Sequence, residues 1–249
     1  MPVHYARRLM GATRTESANR HLGIALAFNA GATNAGGFLA VHQYTSHMTG
    51  IVSSIADNLV LGATDLVLAS AAGVLSFTAG AACSAIMVNF ARRRRMQSKY
   101  ALPLLLEAVL LIAFGLLGAR LATVPVLFVP LTVMLLCFIM GLQNAVITKL
   151  SKAEIRTTHI TGILTDIGIE MGKFAYVNVS ASRTPRVLAD RERLKVLAAL
   201  LLAFFLGGVI GAAGFSQVGF VATVPLALVL VFFATVPALD DLARLMRRG

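Results

Sequence analysis

This 249-residue sequence has no tryptophan, two cysteines, and 11 acidic residues against 22 lysines and arginines. Each shortage removes a class of explanation. Cys83 and Cys137 lie far apart, each inside an apolar run. They offer neither a disulfide framework nor a zinc-ligand spacing, and read as small packing residues. There is no Gly-x-Ser-x-Gly elbow, no His-Glu-x-x-His and no Walker loop, so an enzyme is not expected, nor a metal or a cofactor. Charged residues make up only 13% of the chain, too few for a separate soluble domain. The pattern of a cleavable signal is also missing. The first 21 residues are polar, and the first apolar run has spanning length without a small-residue cleavage site, so it reads as an uncleaved signal anchor.

What is plentiful is apolar: 57% of residues are hydrophobic and the mean hydropathy is +0.80. All the lysines and arginines except Arg120 fall into residues 7–20, 92–99, 149–156, 173–195 and 244–248, between apolar runs long enough to cross a bilayer. In a soluble protein a formal charge of +11 would suggest nucleic acid. Beside membrane spans its counterpart is anionic lipid headgroups, so the expected partner is the bilayer and nucleic acid is not expected.

Short loops rich in Lys and Arg stay cytoplasmic. Placing all five basic stretches inside predicts an all-α polytopic bundle with six spans, at about 22–42, 66–90, 101–121, 125–148, 196–215 and 218–238. Both termini, residues 1–21 and 239–249, are then cytoplasmic. Residues 47–62 and 158–172 are each about 15 residues long and apolar on one face, too short for an untilted span. Crossing by either would send a basic cluster outside. Each is therefore expected to be a short re-entrant or broken helix, or one lying against the bundle.

The two short stretches resemble each other. His47-Met48-Thr49-Gly50-Ile51-Val52-Ser53-Ser54-Ile55 and His159-Ile160-Thr161-Gly162-Ile163-Leu164-Thr165-Asp166-Ile167 share five of nine residues. Upstream, Asn34-Ala35 parallels Asn144-Ala145; downstream, Gly80 and Ser84 parallel Gly207 and Gly211. The chain therefore reads as two copies of one unit, residues 22–121 and 125–238, each with three spans and a short helix. An odd span count turns the second copy upside down, a recurring plan of secondary transporters.

Several of these motifs resemble the YoaK-like family of bacterial inner-membrane proteins, a domain of unknown function. The resemblance rests on Ala27-Phe28-Asn29-Ala30-Gly31, His47-Met48-Thr49-Gly50, Met140-Gly141-Leu142-Gln143-Asn144-Ala145 and Arg156-Thr157-Thr158-His159-Ile160-Thr161-Gly162. Ile51 and Ile163 depart from it, standing where the family pattern has Asn. The resemblance implies an inner-membrane location and no particular activity.

The candidate solute path is drawn from equivalent places in the two copies. His47 and His159 stand at the mouths of the short helices, Thr49 and Thr161 near their first turns, and Gly50 and Gly162 where backbone can approach closely. Two helix N-termini facing from opposite sides would favour an anion. Asp57, Asp166 and Glu170 continue polar stripes, with Ser53, Ser54 and Asn58 in the first copy and Thr165 in the second. Asn34 and Asn144 add a symmetric pair on the first and fourth spans. Thr49, Gly50, Thr161 and Gly162 are expected in one neighbourhood near mid-membrane. Glu107 reads as a residue that snorkels to the cytoplasmic face or meets Lys99. Two functions fit: a small-solute transporter or channel, with anions favoured, and a non-transporting assembly, sensor or interaction protein. The partners are lipid and a small solute or ion, and assembly as a homodimer is left open.

Overall fold

The computed structural model describes residues 16–94, 96, 99–121, 125–150, 160–177 and 186–246. It is an all-α membrane bundle. Its helices are α1 (Glu16–Val41), α2 (Met48–Val60), α3 (Thr64–Arg93), α4 (Ala101–Gly118), α5 (Pro125–Leu150), α6 (Ile160–Ala175), α7 (Arg191–Val218) and α8 (Thr223–Met246), with a 3-10 turn, Gly219–Ala222, between the last two. Five stretches are long and apolar enough to cross a membrane: Ser17–Val41, Thr64–Arg93, Ala101–Gly118, Phe128–Lys149 and Arg191–Thr235. The fifth, 45 residues long, contains α7 and the start of α8, where the last two expected spans lie. With 13 and 16 residues, α2 and α6 are not among them.

Local chemistry sets the helix ends. Asp190 caps α7, its side chain accepting from the backbone N–H of Arg193 at 2.9 Å, and Glu192 follows in the first turn, where negative charge suits the helix dipole. Arg92 and Arg93 occupy the last turn of α3, the favourable end for cations. Gly219, at φ +64, provides the left-handed residue that turns the chain out of α7.

The main packing pairs are α1 with α7, α3 with α5, and α4 with α8. The first two are built alike. A Cβ added at Gly31 on α1 would overlap the Phe204 carbonyl oxygen, and one at Gly207 on α7 would overlap that of Phe28. In the other pair a Cβ at Gly141 on α5 would overlap the Phe77 carbonyl oxygen, and one at Gly80 on α3 would overlap that of Phe138. Aligning Asn34 with Asn144 matches Phe28 and Gly31 to Phe138 and Gly141; aligning Gly80 with Gly207 matches Phe77 to Phe204. Both crossings thus bring glycine against backbone on each side, which is how membrane helices gain contact where lipid provides no hydrophobic drive. Residues 26–37 and 136–147 also share one pattern of buried and half-buried positions. The bundle is sealed beyond the crossings by Phe114, Phe215 and Phe220, whose ring centroids lie 5.7–6.2 Å apart.

Candidate functional site

A pocket of about 350 Å³ opens between α2, α3 and α5. Ile51, Ser54 and Asn58 line it from α2, Ser70 and Gly73 from α3, and Pro130 and Met134 from α5, with Gln43 at the α1–α2 link. No charged side chain is in its lining. Asn58 donates to the Ser54 carbonyl at 2.7 Å and to the Ser54 hydroxyl at 2.9 Å, so the amide is held in one orientation. Pro130 has no N–H, which leaves the carbonyl one turn earlier in α5 without its helical donor at this level.

At the corresponding place in the second half, apolar side chains pack together among the described residues. There α6 lies against α1 and α7 through Ile163, Ala27, Leu197 and Leu200, with Ile24 and Ile167 packed beside them. Leu197 and Leu200 occupy the positions that correspond to Ser70 and Gly73, and Ile24 that of Met134. The polar positions differ as well: Asp166 and Glu170 correspond to Ser54 and Asn58, and Arg193 to Leu66. Arg193 reaches both acids, at 3.1 Å from Asp166 and 3.8 Å from Glu170. Glu170 also accepts from Lys173 Nζ at 2.9 Å and from the backbone N–H of Asp190 at 2.8 Å. The Lys173 bond, then the Asp190 bond, hold its carboxyl below the ordinary value of 4.5. Only 1% of its side chain is exposed, yet what covers it includes the cations it pairs with, so the charged form is favoured. These acids tie α6 to α7 and are not in the pocket lining.

The expected polar stripe of α2 divides. Ser54 and Asn58 turn inward to the pocket, whereas Thr49, Ser53 and Asp57 are exposed on the other side. His47 is the N-cap of α2 but makes no capping bond with its side chain. Its ring lies over Gly50, in the place a Cβ would take. Thr161 and Gly162 are exposed at the start of α6. Asn34 accepts from the Ser46 hydroxyl at 2.8 Å and so anchors the link into α2, while Asn144 donates to the Met140 carbonyl of its own helix at 2.9 Å. The short helices dock on different spans, α2 on α3 and α6 on α7. His159 lies outside the described residues, as do 1–15 of the N-terminal segment and 247–249 of the C-terminal tail.

Glu107 does not snorkel. It is fully buried in α4, and Asn29 Nδ2 of α1 donates to its Oε1 at 3.4 Å. Gln143, also buried, donates to the Leu26 carbonyl at 3.4 Å, one turn from Asn29. Glu107 Oε2, Asn29 Oδ1, Gln143 Oε1 and Thr33 Oγ1 have no hydrogen-bond partner among the described residues. The sequence signal was available, because Glu107 is the one acidic residue away from the ends of an apolar span. Its position six residues into α4 suggests a shallow location, but its partner Asn29 sits midway along α1. Ser70 and Gly73 had no such signal: small residues in an apolar span look like packing residues.

No curated protein and no solved structure is similar enough to this chain to match it. One family's sequence profile does match, over residues 22–236, which takes in both short helices, both glycine crossings and Glu107. The chain belongs to that family, described as protein of unknown function (DUF1275).

Proposed function

We propose that this integral membrane protein is a secondary transporter of a small, uncharged or weakly polar solute. In this reading it is an inverted repeat in a bacterial inner membrane, with both termini cytoplasmic. The observation that carries the proposal is the unlike fate of two corresponding clefts. One, between α2, α3 and α5, is a pocket of about 350 Å³, within the usual size range of small-molecule sites. At the other, Leu197 and Leu200 pack with α1 and α6, and Arg193 pairs with both acids of α6. In this reading the basic stretches lie inside, which puts α2 on the outer side and α6 on the cytoplasmic side, so that the pocket faces out and the counterpart cleft is the shut one. The matched glycine crossings support a common plan for the two halves, with rocking of one against the other as the route between outward and inward access.

The lining disfavours the anion preference suggested by the helix N-termini. The residues that reach the pocket from α2 lie one or more turns beyond its N-terminus, and no cation is among them.

The test copies the closed half into the open one. Ser70→Leu with Gly73→Leu places in α3 the residues found at the corresponding positions of α7. The first atom added at Gly73, its Cβ, meets only the Cys137 sulfur, at an ordinary 3.5 Å. Purified protein should be screened against a panel of small neutral and charged solutes by thermal stabilisation and by uptake into proteoliposomes. The double variant should fold and lose both responses. Full retention of both responses in the double variant would contradict the proposal and favour a non-transporting role.

A further inference from the structure

We infer that Glu107 and Asn29 form an intramembrane site for a proton, and that this proton couples to the solute movement proposed above. The site itself stands on geometry; its coupling role rests on the transport reading. Glu107 is fully buried and Asn29 is 1% exposed, and both belong to helices of spanning length. Among the described residues no Lys, Arg or His side chain pairs with Glu107. The charged residues of the neighbouring helices lie toward helix ends: Glu16, Arg20 and His21 on α1, Asp65, Arg92 and Arg93 on α3, Lys149 on α5, and Asp240, Asp241 and Arg244 on α8. Cys83 and Cys137 are the titratable groups nearer the helix middles. A bare carboxylate in such a place is costly, and ionisable groups retained within a membrane bundle mark ion and proton paths.

The pattern of unpaired atoms identifies what is missing. A carboxylic acid and a primary amide can join through two hydrogen bonds. In one, the amide N–H donates to a carboxyl oxygen; in the other, the acid O–H donates to the amide oxygen. The first is present, from Asn29 Nδ2 to Glu107 Oε1. The atoms of the second, Glu107 Oε2 and Asn29 Oδ1, are the ones left without partners. One proton on Oε2 supplies the absent donor and removes the charge together. Gln143 and Thr33, each within about one turn of Asn29 by contact or sequence, have further unpartnered oxygens among the described residues, so the surroundings of the acid are polar and can accept hydrogen bonds.

Infrared difference spectroscopy of the full-length protein in nanodiscs, wild type against Glu107→Gln, tests the site without knowledge of the solute. The expected result is a protonated-carboxyl C=O stretch at neutral pH, absent from Glu107→Gln, replaced by carboxylate bands on alkaline titration, and shifted to higher frequency in Asn29→Leu as the amide bond is lost. Asn29→Leu also serves as the comparison if Glu107→Gln does not fold. A carboxylate signature for Glu107 at neutral pH in sodium-free buffer would overturn the inference. So would a protonated band removed by sodium at constant pH, which would assign the site to a metal cation. Proton uptake into proteoliposomes, driven by the solute and lost in Glu107→Gln, tests the coupling. The protonated band in a protein that moves no solute would leave the site standing and defeat the transport reading. Solute uptake unchanged in Glu107→Gln would defeat the coupling alone.

Discussion

Alanine at Gly80 or Gly207 should destabilise the bundle in a way that alanine at Gly168 or Gly172 does not. At the first pair the new Cβ meets a backbone carbonyl of the facing helix, Phe138 or Phe28. No rotamer change relieves such a collision, so the helix axes must separate by roughly 1 Å, an overpacking strain at the upper end of about 1–3 kcal/mol. The gain in helix propensity returns about 1 kcal/mol, leaving a net loss of about 2 kcal/mol for each variant. At Gly168 and Gly172, both inside α6, nothing lies within 4 Å of an added Cβ, and alanine should stabilise by about 0.5–1 kcal/mol. Because the two crossings are separate helix pairs, Gly80→Ala and Gly207→Ala should add within about 0.5 kcal/mol. Reversible unfolding in mixed micelles reads the wild type, the four single variants and the double variant on one scale. A Gly80→Ala protein as stable as Gly168→Ala would refute the close-approach reasoning.

The Glu170 ion pairs predict a pH dependence. Its carboxyl is lowered in the folded protein, so its stabilisation of the α6–α7 contact is complete above the unfolded-state value of 4.5 and is lost as pH falls through the lowered folded value. Protection factors of α6 amides, with the intrinsic pH dependence of exchange divided out, should therefore fall on acidification in wild type, and be already low and less pH-dependent in Glu170→Gln. On a background free of Cys83 and Cys137, single cysteines at Gln97, Ala153, Thr184 and Met246 should be shielded from impermeant thiol reagents in intact cells. Those at Ala122 and Ser216 should react, and external labelling at position 184 would contradict the orientation.

The bundle was legible in the sequence because bilayer physics writes a coarse signal: long apolar runs and segregated cations. The short helices were legible by the same rule, since neither can cross without carrying a basic cluster outside. The glycine crossings were legible in part. Gly80 and Gly207 fit small-residue spacing, but their partners Gly31 and Gly141 emerged only when facing helices were in hand. The polar stripe of α2 divides because Ser53 and Asp57 stand a single step around the helix from Ser54 and Asn58, enough to turn one pair out and the other in. The acids of α6 were read as path walls, and the cation that engages them, Arg193, lies 27 residues from Asp166 in sequence. The burial of Glu107 is not legible in the sequence because position gives distance along its own helix, whereas its surroundings depend on Asn29 across the bundle.

Pulsed electron–electron resonance across the two clefts tests the transport account most directly. Spin labels at Ser53 on α2 and Leu131 on α5 span the open cleft, and the corresponding positions, Thr165 on α6 and His21 on α1, span the closed one. With the Arg193 ion pairs intact, the first pair should report the wider distribution and the second the narrower. Arg193→Ala should shift both populations in opposite directions, the open cleft narrowing as the closed one widens. Distances that stay fixed in both pairs, or that widen together, would contradict alternating access.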